Sequence, residues 1–512
     1  MRRFHVFGIW AILFALLVVG HFALSPVTDF SADDWHYLAK SAQPTPSAIV
    51  KVGVHDIYRP VNLIANMLFF HAAGDQPLPY SLWGILAHGI LLALLLALIK
   101  RLGGDDLMLW LGGLVYVINP NIYESFHWAC HEVLLYVPIV LATSMLLWID
   151  WCQRGGGWKV ALALPLYCLG VFSYEYAVPW VLLFPLCAVM VSHSRRVKWA
   201  SIPFIVLAGF YLVWRFSSAF GWGAPLLTGG EYFGGAPSLI GALQNIRGVC
   251  SWWIGGRMAQ SILGGFSLFF TLLPKWQFVF ILPALFLILI TFLQMRRTEH
   301  QGGEIPAASS LWRMIFIGLM WAALAYAPHI IFPASARHNL FPSLGLAIAF
   351  AAAVRLCRIR VVSAPFVLLV LFCLIANAGN TMAFREAGKF SRNLYTHILK
   401  TAPEWEGMDG VVFDTETLRA RQTKGILGPI SSSPTTWASY QNANLLRGFT
   451  CSSMLKLAAP QSKTQALLDM EYGVRREGQQ VIWHERYNPA APHETPLEDL
   501  YWVDCLSAGQ QP

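Results

Sequence analysis

Long apolar runs recur along most of the chain. Uncharged stretches of about 18 to 20 residues are long enough, at 1.5 Å per residue, to cross a hydrocarbon layer of roughly 30 Å. We predict eleven spans near residues 7–24, 80–99, 105–119, 132–150, 158–171, 175–192, 198–216, 277–295, 311–332, 338–356 and 360–378. The pattern therefore predicts an all-α polytopic membrane protein with about eleven transmembrane helices, external interfacial helices and a small α/β C-terminal domain.

Composition and charge support this class and orient it. The chain is 56% hydrophobic and only 12% charged, against roughly 25% charged for soluble domains, which excludes a soluble globule. Fifteen of the 36 basic residues lie in the segments that an internal N-terminus would place inside, and eight lie in the much longer external loops. Since Lys and Arg near span ends are retained in the cytoplasm, the N-terminus is predicted inside and the tail after residue 379 outside. The net charge of +8 is then mainly a topology signal, and a nucleic-acid partner is not expected.

One apolar stretch does not fit the alternation of spans. Residues 250–273 are Gly-rich and carry Arg257, so we expect this stretch to be re-entrant or to lie at the outer interface. The two long loops, 25–79 and 217–276, are both predicted to be external.

The tail, residues 379–512, is polar. It contains a helical pattern at 384–400 and strand-like runs at 410–416 and 479–487, which predict a small α/β extracytoplasmic domain that follows a transmembrane domain at 1–378. Cys451 and Cys505 both lie in the tail and are candidates for a disulfide outside the cytoplasm.

Ionisable residues near the span ends gather on the predicted external side. A charge inside a bilayer is expensive, so such residues are the first place to look for function. Four separate loops supply Asp29, Asp33, Asp34, His36, His55, Asp56, Arg59, Glu124, His127, His131, Glu132, Glu175, His329, Arg337 and His338. This pattern predicts a site at the outer membrane interface.

The acidic pair Asp33 and Asp34 is the sharpest of these features. It lies in SADDWHYLAKSA, residues 31–42, where Ser31 is placed to cap a short helix and Asp34 follows three residues later, as in a capping box. An ionised carboxylate at a headgroup boundary is able to take a proton from an alcohol or to hold a divalent cation. The alternative is a capped, solvated helix end without function.

The sequence around this pair resembles a known family. After the acidic pair come IYRPVNLIANMLFF at 57–70 and GDQPLPYSLWGILAHGILLALL at 74–95, which resemble the opening of C-superfamily (GT-C) glycosyltransferases. The likeness is closest to the branch of transmembrane O-mannosyltransferases with TPR repeats and their bacterial relatives. FSYEYAVP at 172–179 and RHNLFPSLGLAIAF at 337–350 are similar to two later segments of that branch.

The resemblance covers about residues 1–380. It implies transfer of a sugar from a polyprenyl-phosphate carrier, with Asp33 or Asp34 as base or metal ligand. Tyr174 stands where the branch usually has Lys, and Ala336 and Phe341 replace its Glu and Tyr. No TPR array follows.

The chemistry of such a donor assigns roles to the other residues. A departing phosphate needs cations, and Arg59, Arg337 and His338 are the candidates, because the planar guanidinium binds two phosphate oxygens. An interfacial snorkelling arginine is the alternative for Arg59. The cavity and acceptor side is assigned to Tyr58, His127, His131, Glu132 and Glu175.

The cofactor that the sequence suggests is a divalent metal ion. His127 and His131 would share one helix face at i and i+4, a geometry compatible with a metal, although a polar helix end facing the cavity is the alternative. For Glu175 the alternative is a structural, hydrogen-bonded carboxylate. A divalent cation, Mg²⁺ or Mn²⁺, is a candidate at Asp33 or Asp34. No P-loop or dinucleotide motif occurs, so no nucleotide or redox cofactor is expected.

Other functions stay open at this level. A transporter or flippase of lipid-linked saccharides would use similar partners, but transporters usually place polar groups near the bilayer midplane in repeated halves. A polymerase or ligase of lipid-linked glycans would share the donor chemistry, and a saccharide-binding protein without catalysis is a further alternative. The expected partners are a polyprenyl-phosphate-linked sugar, a glycan, lipid or protein acceptor, and the bilayer. The absence of an Asn-x-Ser/Thr sequon favours a bacterial inner membrane.

Overall fold

The chain forms a bundle of apolar helices followed by a small α/β unit. The computed structural model describes residues 2–24, 27–30, 33–42, 60–122, 124–127, 129–191, 199–216, 239–272, 281–300, 305–330, 336–359, 363–414, 448–468, 474–485, 488–505 and 508. The helices up to residue 216 are α1 (Arg2–His21), α2 (Asp33–Ala42), α3 (Pro60–Ala73), α4 (Pro77–Arg101), α5 (Asp106–Ile118), α6 (Glu124–His127), α7 (Ala129–Leu134), α8 (Tyr136–Arg154), α9 (Gly157–Val171), α10 (Ala177–Trp180), α11 (Leu183–Val191) and α12 (Ile202–Phe216).

The remaining helices complete the bundle and lead into the C-terminal unit. They are α13 (Leu239–Ile254), α14 (Gly256–Leu272), α15 (Ile281–His300), α16 (Ala308–Tyr326), α17 (Leu340–Leu356), α18 (Ala364–Lys400), α19 (Ala402–Trp405) and α20 (Gly448–Ala458). Two short 3₁₀ turns, Ala327–Ile330 and Ala336–Asn339, join α16 to α17.

All eleven predicted apolar segments coincide with helices. Within the described residues, five helical stretches are long and apolar enough to cross a membrane, namely Pro77–Arg101, Glu132–Arg154, Ile281–His300, Ala308–Ile330 and Ala364–Lys400. The others coincide with shorter apolar helices. The chain is therefore a mostly helical integral membrane protein, as predicted, whereas the number of crossings and the orientation stay predictions.

Two details differ from the sequence pattern. The span predicted at 175–192 is divided into α10 and α11, because Pro179 and Pro185 lack the backbone N–H groups that a continuous helix would use. Residues Pro60–Ala73 form a further short apolar helix outside the eleven predicted spans. It lies in the loop 25–79, where external interfacial helices are predicted.

Helix α15 shows the surface that faces lipid. Leu282, Phe286, Leu289 and Leu293 are each more than half exposed, and their spacing of three and four residues places them on one helix face. Such a continuous apolar stripe is unfavourable in water but is the expected surface of a helix in a bilayer.

Ion pairs connect the helices at the end of the bundle that is predicted to be cytoplasmic. Asp150 lies 2.9 Å from Arg101 and 2.8 Å from Lys159, which joins α8 to α4 and α9. Asp105 lies 2.6 Å from Arg355, which joins the start of α5 to α17. The basic residues that carry the topology signal therefore also tie neighbouring helices together.

Reporter fusions test the predicted orientation. We expect alkaline phosphatase fused after residue 512 to be active, because the enzyme folds only outside the cytoplasm, and a fusion at Gly156 to be inactive. A green fluorescent protein fused at the same two sites is the control and should give the opposite pattern. Activity of the phosphatase at Gly156 would contradict the orientation inferred from the basic residues.

Glycines allow two helix pairs to cross closely. A Cβ atom on Gly318 of α16 would overlap the carbonyl oxygen of Gly345 in α17, and the reverse is also true. Helices α14 and α18 cross in a similar way, since a Cβ on Gly379 would overlap the Gly265 carbonyl oxygen and a Cβ on Gly265 would overlap the Ala376 carbonyl oxygen. Small residues at such crossings bring backbones into van der Waals contact, which drives helix association in membranes.

The Gly-rich stretch is helical over its described residues, 250–272. It includes the end of α13 and all of α14, with a bend at Gly255, and α14 runs along α18 through the Gly265 and Gly379 crossing. Its predicted re-entrant or interfacial location stays a prediction.

The described residues of the C-terminal unit form two small sheets. The helix predicted at 384–400 and the strands predicted near 410–416 and 479–487 are confirmed. In one sheet β1 (Gly410–Asp414) lies between β2 (Gln465–Leu468) and β6 (Leu500–Asp504), parallel to both. The other is antiparallel, in the order β3 (Arg475–Glu477), β4 (Gln480–Glu485), β5 (Asn488–Pro496).

The membrane bundle and the C-terminal unit are joined by one continuous helix and one shared core. Residue 378, where the composition changes, lies inside α18, and the division into domains at that residue stays a prediction. Trp35 and Leu38 of α2 belong to the same hydrophobic cluster as Leu394 and Met454. Cys451 and Cys505 are both buried in this cluster, and their pairing stays a prediction.

Candidate functional site

The predicted external loops meet at one end of the bundle. We call the end formed by residues 27–42, 119–135, 172–177 and 327–339 the polar end. There α2 contacts α3 and α7, α7 also contacts α4, and α6 contacts the 3₁₀ turn Ala336–Asn339. Segments that are up to 300 residues apart in the sequence are therefore brought together, as the clustering of ionisable residues predicted.

Asp34, one member of the acidic pair, is buried. It lies in the first turn of α2 with only 2% of its surface exposed, and it lines a small pocket with Tyr37, Tyr80 and Asn66. Burial contradicts the alternative of a solvated helix end for this residue. The backbone of Asp33 begins α2, but its side chain, like Ser31, lies outside the described residues.

Glu132 and Glu124 are further buried carboxyl groups at this end, and Glu132 is the one on which Asp34 acts electrostatically. Glu132 is 2% exposed, and its Oε1 atom has no hydrogen-bond partner among the described residues. Two buried carboxylates repel each other when both are ionised, so their burial favours protonation of one of them or neutralisation by a cation.

The shape of α4 brings Glu132 to this position. A Cβ atom on Gly84 would lie 2.8 Å from Glu132 Oε1, so the absence of a side chain at Gly84 leaves the room that the carboxyl group occupies. Polar groups continue below it, because His88, one turn further along α4, is buried and lies 2.7 Å from the Tyr116 hydroxyl.

His127 belongs to a buried network. The Thr381 hydroxyl lies 3.0 Å from the His21 carbonyl oxygen and 2.7 Å from His127 Nε2, so it links α1 and α6 to α18. Burial lowers the pKa of His127 well below its usual range, and the nearby imidazoles of His21 and His88 lower it further. The ring is therefore neutral and serves to position α6 against α18.

The predicted histidine pair for a metal is not decided. The side chain of His131 lies outside the described residues, and among the described residues no group of three or more His, Cys, Asp or Glu side chains has metal-binding geometry.

A second group forms where the two later family-like segments meet. His338 is half-buried, and its ring lies 4.3 Å from that of His329 and 6.4 Å from that of Tyr174. Tyr176 stacks on Phe341 at 4.8 Å. Glu175, between the two tyrosines, is also half-buried. The contact joins residues 172–179 to residues 337–350, so the segments that carry the resemblance are neighbours.

Besides Asp33 and His131, three predicted site residues are not described at side-chain level. Tyr58 and Arg59 lie in the undescribed segment 43–59, and only the backbone of Arg337 is described. Their assignment to the acceptor cavity and the donor phosphate stays a prediction.

The structure adds Arg392, which the sequence analysis missed. Arg392 of α18 pairs with Asp29 at 3.0 Å and Asp75 at 3.1 Å. Phe390, Leu394 and Ile398 are spaced so that they lie on one face of this helix, which the pattern predicts to face the core. Arg392 lies on another face, so the sequence pattern predicts that it is exposed to solvent. No local signal in the sequence indicates partners on two distant loops.

Residues 74–80 form a Gly-x-x-Pro-x-x-Tyr motif within the family-like segment 74–95, and this motif has a structural explanation. Gly74 adopts φ +60°, a conformation that favours glycine, and the Tyr80 hydroxyl donates to the Gly74 carbonyl at 3.1 Å. The motif therefore fixes the turn between α3 and α4, which carries Asp75 and presents Tyr80 to the pocket beside Asp34.

The comparisons with known proteins give little further information. No family model matches the chain, and no curated protein matches it. Among solved structures, the chain is similar to the crystal structure of ArnT from Cupriavidus metallidurans bound to undecaprenyl phosphate, with 14% identity, 89% of each chain covered and a TM-score of 0.38. A likeness of this strength supports no inference about the site, and no comparison confirms the relation to the O-mannosyltransferase branch.

Proposed function

We propose that the chain is a membrane glycosyltransferase of the GT-C type, which moves a sugar from a polyprenyl-phosphate carrier to an acceptor on the external face. The observation that carries the proposal is the buried carboxylate of Asp34 beside a pocket at the polar end. Burying a carboxylate costs free energy, and buried ionisable groups are concentrated at functional sites. The family-like motifs around Asp34 supply the reaction class.

In the proposed reaction Asp34 is the general base. One carboxylate oxygen takes the proton of an acceptor hydroxyl, whose oxygen attacks the anomeric carbon of the sugar. The bond between that carbon and the phosphate oxygen breaks, and its electron pair leaves with the polyprenyl phosphate. Attack opposite the leaving group inverts the anomeric centre. Arg59, Arg337 and His338 are proposed to stabilise the phosphate charge.

A divalent cation fits the same residues. Asp34 and Glu132 offer hard oxygen ligands, and the Oε1 atom of Glu132 has no other partner among the described residues, as expected for a ligand of Mg²⁺ or Mn²⁺. Such an ion would neutralise the donor phosphate. The roles of the protein groups, proton transfer by Asp34 and positioning of the carboxylates, are the same with or without it.

Glycan mass spectrometry tests the proposal. Cells that lack the chain should lose one defined sugar from an envelope glycan or lipid, and complementation with the wild type should restore it. Accumulation of an intact, untransported lipid-linked precursor would instead support a flippase. Shorter glycan chains of unchanged sugar composition would support a polymerase or ligase.

A substitution at Gly84 tests the role of Glu132. We expect Gly84→Ala to displace the Glu132 carboxyl group, since the new methyl group would meet Oε1, and to reduce transfer by about tenfold through misplacement in the site. Gly8→Ala is the matched control, because no described atom lies within 4 Å of a Cβ there. Equal activity of both variants, measured with a lipid-linked sugar in proteoliposomes, would remove Glu132 from the proposed site.

A further inference from the structure

Arg392 connects three parts of the chain. Its Nε atom donates to Asp29 Oδ1 at 3.0 Å, in the segment after α1. Its Nη1 atom donates to Asp75 Oδ2 at 3.1 Å and its Nη2 atom to the Asp75 carbonyl at 2.8 Å, in the turn between α3 and α4. One guanidinium group on α18 therefore holds the segment after α1 and the turn between α3 and α4. It does so by three hydrogen bonds, two of them to carboxylates.

Aromatic rings extend this contact to the helix that carries Asp34. The guanidinium carbon of Arg392 lies 5.3 Å from the Phe30 ring and 5.4 Å from the Trp35 ring, within the range of cation–π attraction. Tyr395, one turn further along α18, lies 4.6 Å from the Trp35 ring. Trp35 is fully buried and follows Asp34 directly.

Helix α2 depends on such contacts for its position. It has ten residues, and isolated helices shorter than about 12–15 residues are marginal in water. Its apolar residues Trp35 and Leu38 pack into the core of the C-terminal unit, and α2 also contacts α20. The placement of Asp34 is therefore set in part from the C-terminal side of the chain, together with the contacts of α2 with α3 and α7.

We propose that Arg392 is a positioning residue that fixes α2, and with it the Asp34 carboxylate, against α18. In this proposal the C-terminal unit contributes to the site by holding α2 in position. This inference rests on the proposed function for its effect on sugar transfer, whereas its structural part, the fixing of α2, is measured independently. Arg392 itself does not contact the reacting atoms.

The fork of the guanidinium makes the contact specific. Arg presents several N–H groups in one plane, so it binds Asp29 and Asp75 together and also stacks on rings. Lys would keep the charge but offers a single ammonium, which is unable to reproduce the three directed bonds. We therefore expect Arg392→Lys to restore only part of what Arg392→Ala loses.

The experiment uses the full-length protein in lipid nanodiscs. Hydrogen exchange of the backbone amides in residues 33–42 is compared for the wild type, Arg392→Ala, Arg392→Lys and Lys389→Ala. Lys389 is the matched control, because it is a cation on the same helix whose described partner is Glu386, also on α18. We expect faster exchange in α2 for Arg392→Ala, an intermediate rate for Arg392→Lys, and the wild-type rate for Lys389→Ala.

Kinetics on the same samples provide the second readout. We expect Arg392→Ala to lower kcat by about 10- to 100-fold, the effect of a small misplacement of a catalytic group, with little change in KM for the lipid-linked sugar. Asp29→Asn combined with Arg392→Ala should be no worse than Arg392→Ala alone, because both changes break the same contact.

The outcomes separate the two proposals. Unchanged exchange in residues 33–42 of Arg392→Ala would overturn the positioning role, whatever the activity. Loss of protection that extends to the bundle helix α5 would also overturn it, since Arg392 would then support the whole fold. Faster exchange confined to α2, together with a wild type that transfers no sugar, would keep the positioning role and reject the glycosyltransferase.

Discussion

Replacing Asp34 with Asn is expected to lower the rate of sugar transfer by about 10²- to 10⁴-fold, the usual contribution of a general base. Asn has nearly the same shape as Asp but is unable to accept a proton from the acceptor hydroxyl. Because Asp34 is buried beside the pocket, solvent is poorly placed to replace it. The measurement is the initial rate of transfer from a defined polyprenyl-phosphate sugar in proteoliposomes.

Two further variants make this result interpretable. Asp106→Asn is the matched control, because Asp106 is a partly exposed carboxylate that pairs with Lys100 at 3.1 Å, at the other end of the bundle, and its loss should leave transfer unchanged. Asp33→Asn compares the two members of the acidic pair, and we expect it to be milder than Asp34→Asn. Wild-type activity of Asp34→Asn in well-folded protein would exclude Asp34 as the base.

Replacing Gly379 with Val is expected to destabilise the whole bundle. A Cβ atom at this position would overlap the backbone carbonyl oxygen of Gly265 in the facing helix and would lie 2.7 Å from the amide of Phe269. Backbone atoms are unable to rotate away, so α14 and α18 must separate. Overpacking of this kind costs about 1–3 kcal/mol, and we expect a lower midpoint of thermal unfolding and a lower folded yield.

Gly209→Val is the control for this substitution. Gly209 is also in an apolar helix, α12, but no described atom lies within 4 Å of a Cβ at that position. Both variants gain the same β-branched side chain, so the difference between them reports the helix crossing alone. Fluorescence-detected size-exclusion chromatography after heating measures both. Equal stability of the two variants would mean that α14 and α18 do not cross at Gly379.

The helices were largely predictable because hydropathy is a local property. A run of apolar side chains is stable in a bilayer only as a helix whose backbone groups are all bonded internally, so each predicted segment coincides with a helix. The exception, the break between α10 and α11, follows from the two prolines and was visible in the sequence. The short helix Pro60–Ala73 was expected as an interfacial helix of the external loop and not as a span, because Asn62 and Asn66 interrupt its apolar run.

The site was predictable only in part. Clustering of ionisable residues at one end, and the motifs around Asp34, indicated which loops come together. The burial of Asp34 was not visible in the sequence, because adjacent residues on a helix are about 100° apart and only packing decides which helix face is buried. Glu132 was identified as a cavity residue, but its approach to Asp34 depends on the bare backbone at Gly84.

The sequence by itself determined that this is a helical membrane protein with a polar end and a small α/β unit, because apolar run length and strand periodicity are written in neighbouring residues. Only the tertiary structure decided which groups meet. Arg392 and Asp29 are 363 residues apart, and Gly265 faces Gly379 across two helices. Contacts of this kind depend on how the helices pack, which no local pattern of residues specifies.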